Sequence, residues 1–170
     1  MKKIIKLFII TGTAILILFS CDEGLSPDES TPAFTGISGT VYFQNWPAPG
    51  SAPPDSMADV RLILFPDFPP SSIQDEILSG RAVVYPGLNE NKLTFYIDSL
   101  NFQIPLTPGT YEYFAVAHQY GPNLFQDWRV VGHYDTTPQD TLPTPLTITS
   151  GEHLENIYIL ADFDSVLFSL

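Results

Sequence analysis

Proline interrupts this chain too often for long helices to form. Sixteen prolines stand among its 170 residues, and each removes a backbone donor and clashes with the preceding helical turn. What lies between them is short and alternating. Ile37, Gly39, Val41 and Phe43 interleave with Ser38, Thr40, Tyr42 and Gln44, the period of two that marks a half-buried strand. In DVRLILF at 59–65, Val60, Leu62 and Leu64 share a face. Leu93, Phe95 and Ile97 predict another strand, closed by a turn at Asp98-Ser99, with Phe102 and Ile104 in its partner. YEYFAVAH at 111–118 is apolar on both faces, as a central strand is. DWRVVGHY at 127–134 follows, then Leu146 and Ile148, and Ile157, Ile159, Ala161 and Phe163 finish the sheet. One short helix is expected over 72–79, with a serine cap, acids in its first turn, Ile73 and Ile77 on one face, and Gly80 as its stop. Seven or eight short strands between turn signals predict an all-β sandwich, because two facing sheets bury apolar faces that one open sheet leaves wet.

The amino terminus follows another logic. Lys2, Lys3 and Lys6 precede an apolar run over 7–19, the pattern of an export signal. A permanent spanning helix is the weaker reading, because reaching roughly 20 apolar residues would bury Lys6. The single cysteine, Cys21, sits where the apolar run meets acidic residues. Leu18-Phe19-Ser20-Cys21 resembles the lipobox of bacterial lipoproteins. That resemblance implies a signal peptide over 1–20, removed by cleavage, and a diacylglycerol on the Cys21 thiol. It also implies exported, lipid-anchored localisation in the cell envelope, at the outer membrane or cell surface. Asp22 leaves the choice of membrane open, since an acidic residue after the cysteine serves surface sorting in some bacteria and inner-membrane retention in others. Acyl chains anchor firmly only in combination, at ~0.8 kcal/mol per buried CH₂. Residues 21–35 are rich in acids, Pro, Ser and Thr without apolar periodicity, which reads as a flexible acidic tether, and the sandwich is placed at 36–165.

The strand motifs carry a second resemblance. ISGTVYF at 37–43, ADVRLILF at 58–65, DSLNFQIPLTPGTYEYFAVA at 98–117 and LTITSGEHLENIYI at 146–159 come in the order seen in prealbumin-like domains: carboxypeptidase regulatory-like, transthyretin-like and collagen-adhesin B-type modules. The resemblance covers roughly residues 36 to 163 and implies a Greek-key sandwich; it says almost nothing of a ligand. Locally, Gly39 suits a bulge or a close backbone approach. Pro108-Gly109 suits a turn, and Tyr111 suits a tyrosine corner, with its ring buried and its hydroxyl bonded to nearby backbone.

Charge and motif content narrow the function. Losing the first 20 residues leaves Arg61, Arg81, Lys92 and Arg129 against 19 acids, a net of −15 where the whole chain carries −12. No cationic footprint for nucleic acid exists, and attachment to anionic lipid must rest on acyl chains. With Cys21 acylated no disulfide is available, so the core alone holds the domain. His118, His133 and His153 fall in no metalloprotease, hydrolase or zinc pattern. His133 and Asp135 share a strand face, as do Asp162 and Asp164, but a metal needs further ligands and the sequence names none. The acidic loop 135–140 leaves a structural calcium open. No cofactor and no catalytic residue is assigned.

The aromatics carry the remaining signal. Trp46 lies where the first strand meets a proline-rich loop, and Tyr120, Phe125 and Trp128 flank a Gly-Pro-Asn turn. Exposed together, Trp46, Tyr120 and Trp128 would stack on sugar rings or anchor an envelope partner; buried, they are lids at the sandwich ends. The expectation is a non-catalytic envelope lipoprotein, an accessory, interaction or structural module. The alternatives are carbohydrate binding through those aromatics and, third, an enzyme with an unrecognised site.

Overall fold

Strand β1 (Gly36–Gln44) realises the alternation of its sequence: Ile37, Val41 and Phe43 point inward, while Tyr42 and Gln44 face solvent. The computed structural model describes residues 34–137, 142–165 and 168–169, all within one compact unit, Ala33–Leu170. The export signal, Cys21 and nearly all of the tether lie outside the described residues, as does Asp140. Along the chain follow β2 (Asp59–Phe65), α1 (Ile73–Leu78), β3 (Val83–Tyr85), β4 (Ser99–Pro105), β5 (Gly109–Tyr111), β6 (Tyr113–Gln119), β7 (Trp128–His133), β8 (Leu146–Ile148), β9 (His153–Asp162) and β10 (Phe168–Ser169). The fold is all-β with one short helix. Among the described residues no helix is long and apolar enough to cross a bilayer.

Two sheets form the layers: β4-β1-β9, and β10-β7-β6-β2-β3. Strand β1 sits centrally in the smaller sheet, antiparallel to β4 and parallel to β9. Between the layers Val60, Leu62, Leu64, Phe114 and Val116 meet Ile37, Val41, Phe102, Ile104, Ile157 and Ile159. Phe102 and Phe114 touch edge to face, 5.6 Å between centroids. Each such side chain contributes roughly 1.5–3 kcal/mol on burial. Where β1 and β9 slip register between Ile37 and Gly39, a Cβ on Gly39 would lie 1.8 Å from the Ile157 carbonyl oxygen. Only glycine fits that approach, as the bulge reading of this residue expects.

A second core lies on the far side of the larger sheet. Ile63, Phe65, Tyr113, Ala115, Ala117, Trp128 and Val130 are covered there by Phe68, Ile73, Ile77 and Val84. Strands β2 and β6 are therefore buried along their whole length, which explains why their sequences do not alternate. Ser72 caps α1 by accepting from the Asp75 amide at 3.2 Å, and Gly80 stops it at φ 73°.

Three strand expectations need correction. Residues 93–97 form no strand: Tyr96 takes a left-handed φ of 59°, and Leu93, Phe95 and Ile97 pack against the inner core from a loop. Strand β4 begins at Ser99, where a turn was expected. The run 111–118 is split at Glu112, whose exposed carboxylate accepts the Phe68 amide at 3.0 Å; β5 pairs with β8 in a separate two-stranded sheet while β6 joins the larger one. Tyr111 is buried at this split, and its hydroxyl donates to the Thr107 carbonyl at 3.2 Å. Past residue 165, β10 adds an edge by pairing with β7 at Val130 and Arg129.

Candidate functional site

The predicted aromatics do not assemble. Trp46 is half-buried at one end of the sandwich, 4.3 Å from the Phe163 ring and 5.0 Å from Phe43, and its Nε1 donates to the Ile97 carbonyl at 2.9 Å. Trp128 is buried in the second core and donates Nε1 to the Leu124 carbonyl at 2.7 Å. Tyr120 is half-buried beside His118. Trp46 and Tyr120 stand at one end, joined through the Phe163 and His118 rings, while Trp128 lies apart in the second core; none of the three forms an exposed strip, and the two tryptophans spend their donors on holding loops.

His118 and His153 are hydrogen-bonded, as are the turn acids, while the buried His133 Nδ1 has no hydrogen-bond partner among the described residues. His118 is fully buried. Its Nδ1 accepts from Arg129 Nε at 3.1 Å, so Nε2 carries the proton and donates to the Ser56 carbonyl at 2.7 Å. Burial, with Arg129 adding to it, pushes its pKa down. Arg129 continues to Asp55 at 3.1 Å, so the cluster ties the proline-rich loop to β6 and β7. His133 lies 6.0 Å from the Tyr113 ring, and burial lowers its pKa. Asp135 accepts the Thr137 amide at 2.7 Å and the Thr144 hydroxyl at 3.1 Å, bonds that hold its carboxyl below the usual range. Asp162 accepts from Gln44, Asn45 and the Asp164 amide. Asp135 and Asp162 thus each close a turn. Among the described residues no three His, Cys, Asp or Glu gather as metal ligands.

The larger sheet's outer face carries three buried charged side chains unannounced by the sequence, Asp59, Arg61 and Glu76. Arg61 bonds Asp59 at 2.9 Å and donates to the Pro86 and Gly87 carbonyls, and Glu76 on α1 meets Arg81. A cavity of about 480 Å³ opens there, lined by Phe68, Pro69, Ile73, Tyr113 and Phe125 among others. The Tyr113 hydroxyl at this place is buried without a hydrogen-bond partner among the described residues.

The smaller sheet's outer face differs. Tyr42 and Tyr158 are 49% and 54% exposed, and Leu160 is 56% exposed. The two tyrosine rings lie 6.4 Å apart with planes 30° from parallel. The pairing of β1 with β9 sets this up, placing Tyr42 opposite Leu160 and Thr40 opposite Tyr158. Thr40 donates to Asn101 Oδ1 at 2.8 Å, and the Tyr158 hydroxyl donates to Asn156 Oδ1 at 3.3 Å. A shallow depression of about 300 Å³ lies alongside, lined by Thr40, Asn101, Asn156 and Tyr158. Sequence reasoning missed this patch. Each tyrosine occupies an outward position of its strand, but the neighbourhood of β1 and β9 is invisible in a linear reading.

Comparison with protein-family models, with curated proteins and with solved structures gives no match.

Proposed function

We propose that this chain is a non-catalytic lipoprotein of the bacterial cell envelope. Acyl chains on Cys21 hold it to a membrane, an acidic tether spaces it from the surface, and the β-sandwich serves as an interaction or structural module. The observation that carries this reading is the placement of the one cysteine. It ends the Leu18-Phe19-Ser20-Cys21 motif behind a basic, apolar leader, and the first strand starts fifteen residues later at Gly36. The fold's own use of its reactive side chains supports the non-catalytic part. Both nitrogens of His118 are committed to Arg129 and Ser56, and the Arg61 guanidinium is committed to Asp59 and two carbonyls. These groups fasten loops to the sheet. The prealbumin-like ancestry suggested by the strand motifs belongs to the same proposal.

The test is to express the full chain and its Cys21→Ala variant in a bacterium that processes lipoproteins, with labelled palmitate. The parent is expected to carry label and to sediment with membranes; the variant is expected to carry none and to be released. A variant that still partitions with membranes would overturn the anchor.

A further inference from the structure

We infer that the outer face of the β4-β1-β9 sheet is a binding site for a neutral glycan, read by Tyr42 and Tyr158. This rests on the reading of the sandwich as an interaction module and names the ligand class it takes. Sugar rings have an apolar face that stacks on aromatic rings and a rim of hydroxyls that needs donors and acceptors. The face offers both. Tyr42 and Tyr158 present near-parallel rings, each about half exposed, with Leu160 beside them. The depression alongside supplies amides and a hydroxyl from Asn101, Asn156 and Thr40. Because Asn101 Oδ1 accepts from Thr40 and Asn156 Oδ1 accepts from Tyr158, each amide is oriented with its NH₂ as the group left to donate. That is preorganisation, which lowers the entropy lost on binding.

Charge selects the kind of glycan. In a chain of net −12, the outward side chains at the middle of this sheet, Thr40, Tyr42, Asn101, Gln103, Tyr158 and Leu160, are all uncharged. Glu155, 3.7 Å from His153, is the one charged residue lining the depression. The four cations of the sandwich are occupied elsewhere: Arg61 with Asp59, Arg81 with Glu76 and Asp67, Arg129 with Asp55, and Lys92 with the Ala58 carbonyl. Among the described residues no Lys or Arg stands on the face to balance a carboxylate or sulfate, so a uronic or sulfated polymer is repelled.

The experiment uses the full-length lipoprotein in detergent. Its migration is measured in native gels containing soluble starch, hydroxyethylcellulose, galactomannan or, as the anionic control, polygalacturonate. Retardation by at least one neutral polymer and none by polygalacturonate is expected. Tyr42→Ser and Tyr158→Ser should each weaken that binding about tenfold, and the double variant should abolish it with an unchanged melting temperature. No retardation by any neutral polymer overturns the inference, and so does retardation that survives the double substitution or is matched by polygalacturonate. A parent that sediments as a dimer dissolved by the same substitutions also overturns it, since a second copy then covers the face. Failure here leaves palmitate labelling and membrane partition at Cys21 untouched, so the two readings fail separately.

Discussion

The two sheets of this sandwich treat their outer faces in opposite ways. The larger one is roofed by α1 and Phe68, and it accepts buried charges beneath that cover. The smaller one leaves Tyr42, Tyr158 and Leu160 about half in water. Burial of one face suffices to hold a three-stranded layer on the sandwich. The apolar groups on its other face are thus not explained by folding, whereas those under α1 are. Exposed apolar groups gathered on one surface mark a contact site more often than scattered ones do.

Substitutions break or sharpen this contrast in a graded way. Phe65, fully buried under the roof, should behave as a core residue: Phe65→Ala is expected to cost about 3–5 kcal/mol in guanidine unfolding, and a loss below about 1 kcal/mol would mean the second core is not one. Arg61→Ala leaves the buried Asp59 carboxylate without its ion pair and should cost about 3–5 kcal/mol by the same measurement. Both depressed histidines, His118 and His133, lie on the larger sheet. In the folded chain they stay neutral where the unfolded chain takes up protons, so their contribution is intact above the ordinary histidine pKa of ~6.5 and is lost as pH falls below it. The denaturation midpoint should therefore drop from pH 7.5 to pH 5.5, with a shallower drop in His118→Gln. Ser72→Ala removes the cap of α1 and should cost about 1 kcal/mol. Leu160→Ser, on the open face, should change stability by no more than about 0.5 kcal/mol; a larger loss would show that something covers it.

Much of this architecture is legible in the sequence. Alternation in 36–44 and 157–163 gives two strands of the smaller sheet and tells which side faces inward, and the Ser72 cap with Ile73 and Ile77 gives α1. The rest fails for physical reasons. Val83–Tyr85 is too short to show a period, and it is an edge strand only because β2 pairs with it. The odd positions 93, 95 and 97 mimic a strand because a loop closing the sandwich end must also bury alternate side chains. The doubly buried β2 and β6 hide the second core, since an all-apolar run does not say what covers each side. The candidate site is least legible: Trp46 and Trp128 are the largest rings, yet both turn their Nε1 to loop carbonyls, while Tyr42 and Tyr158 come together only through the pairing of β1 with β9.

Strand β1 has one further consequence. It is the middle of its sheet, and its parallel neighbour β9 runs only to Asp162, near the far end of the chain. A chain made amino terminus first holds β1 with one flank empty until β9 follows. Strand β1 thus waits for a partner made long after it, and a pairing so distant in sequence is slow to form.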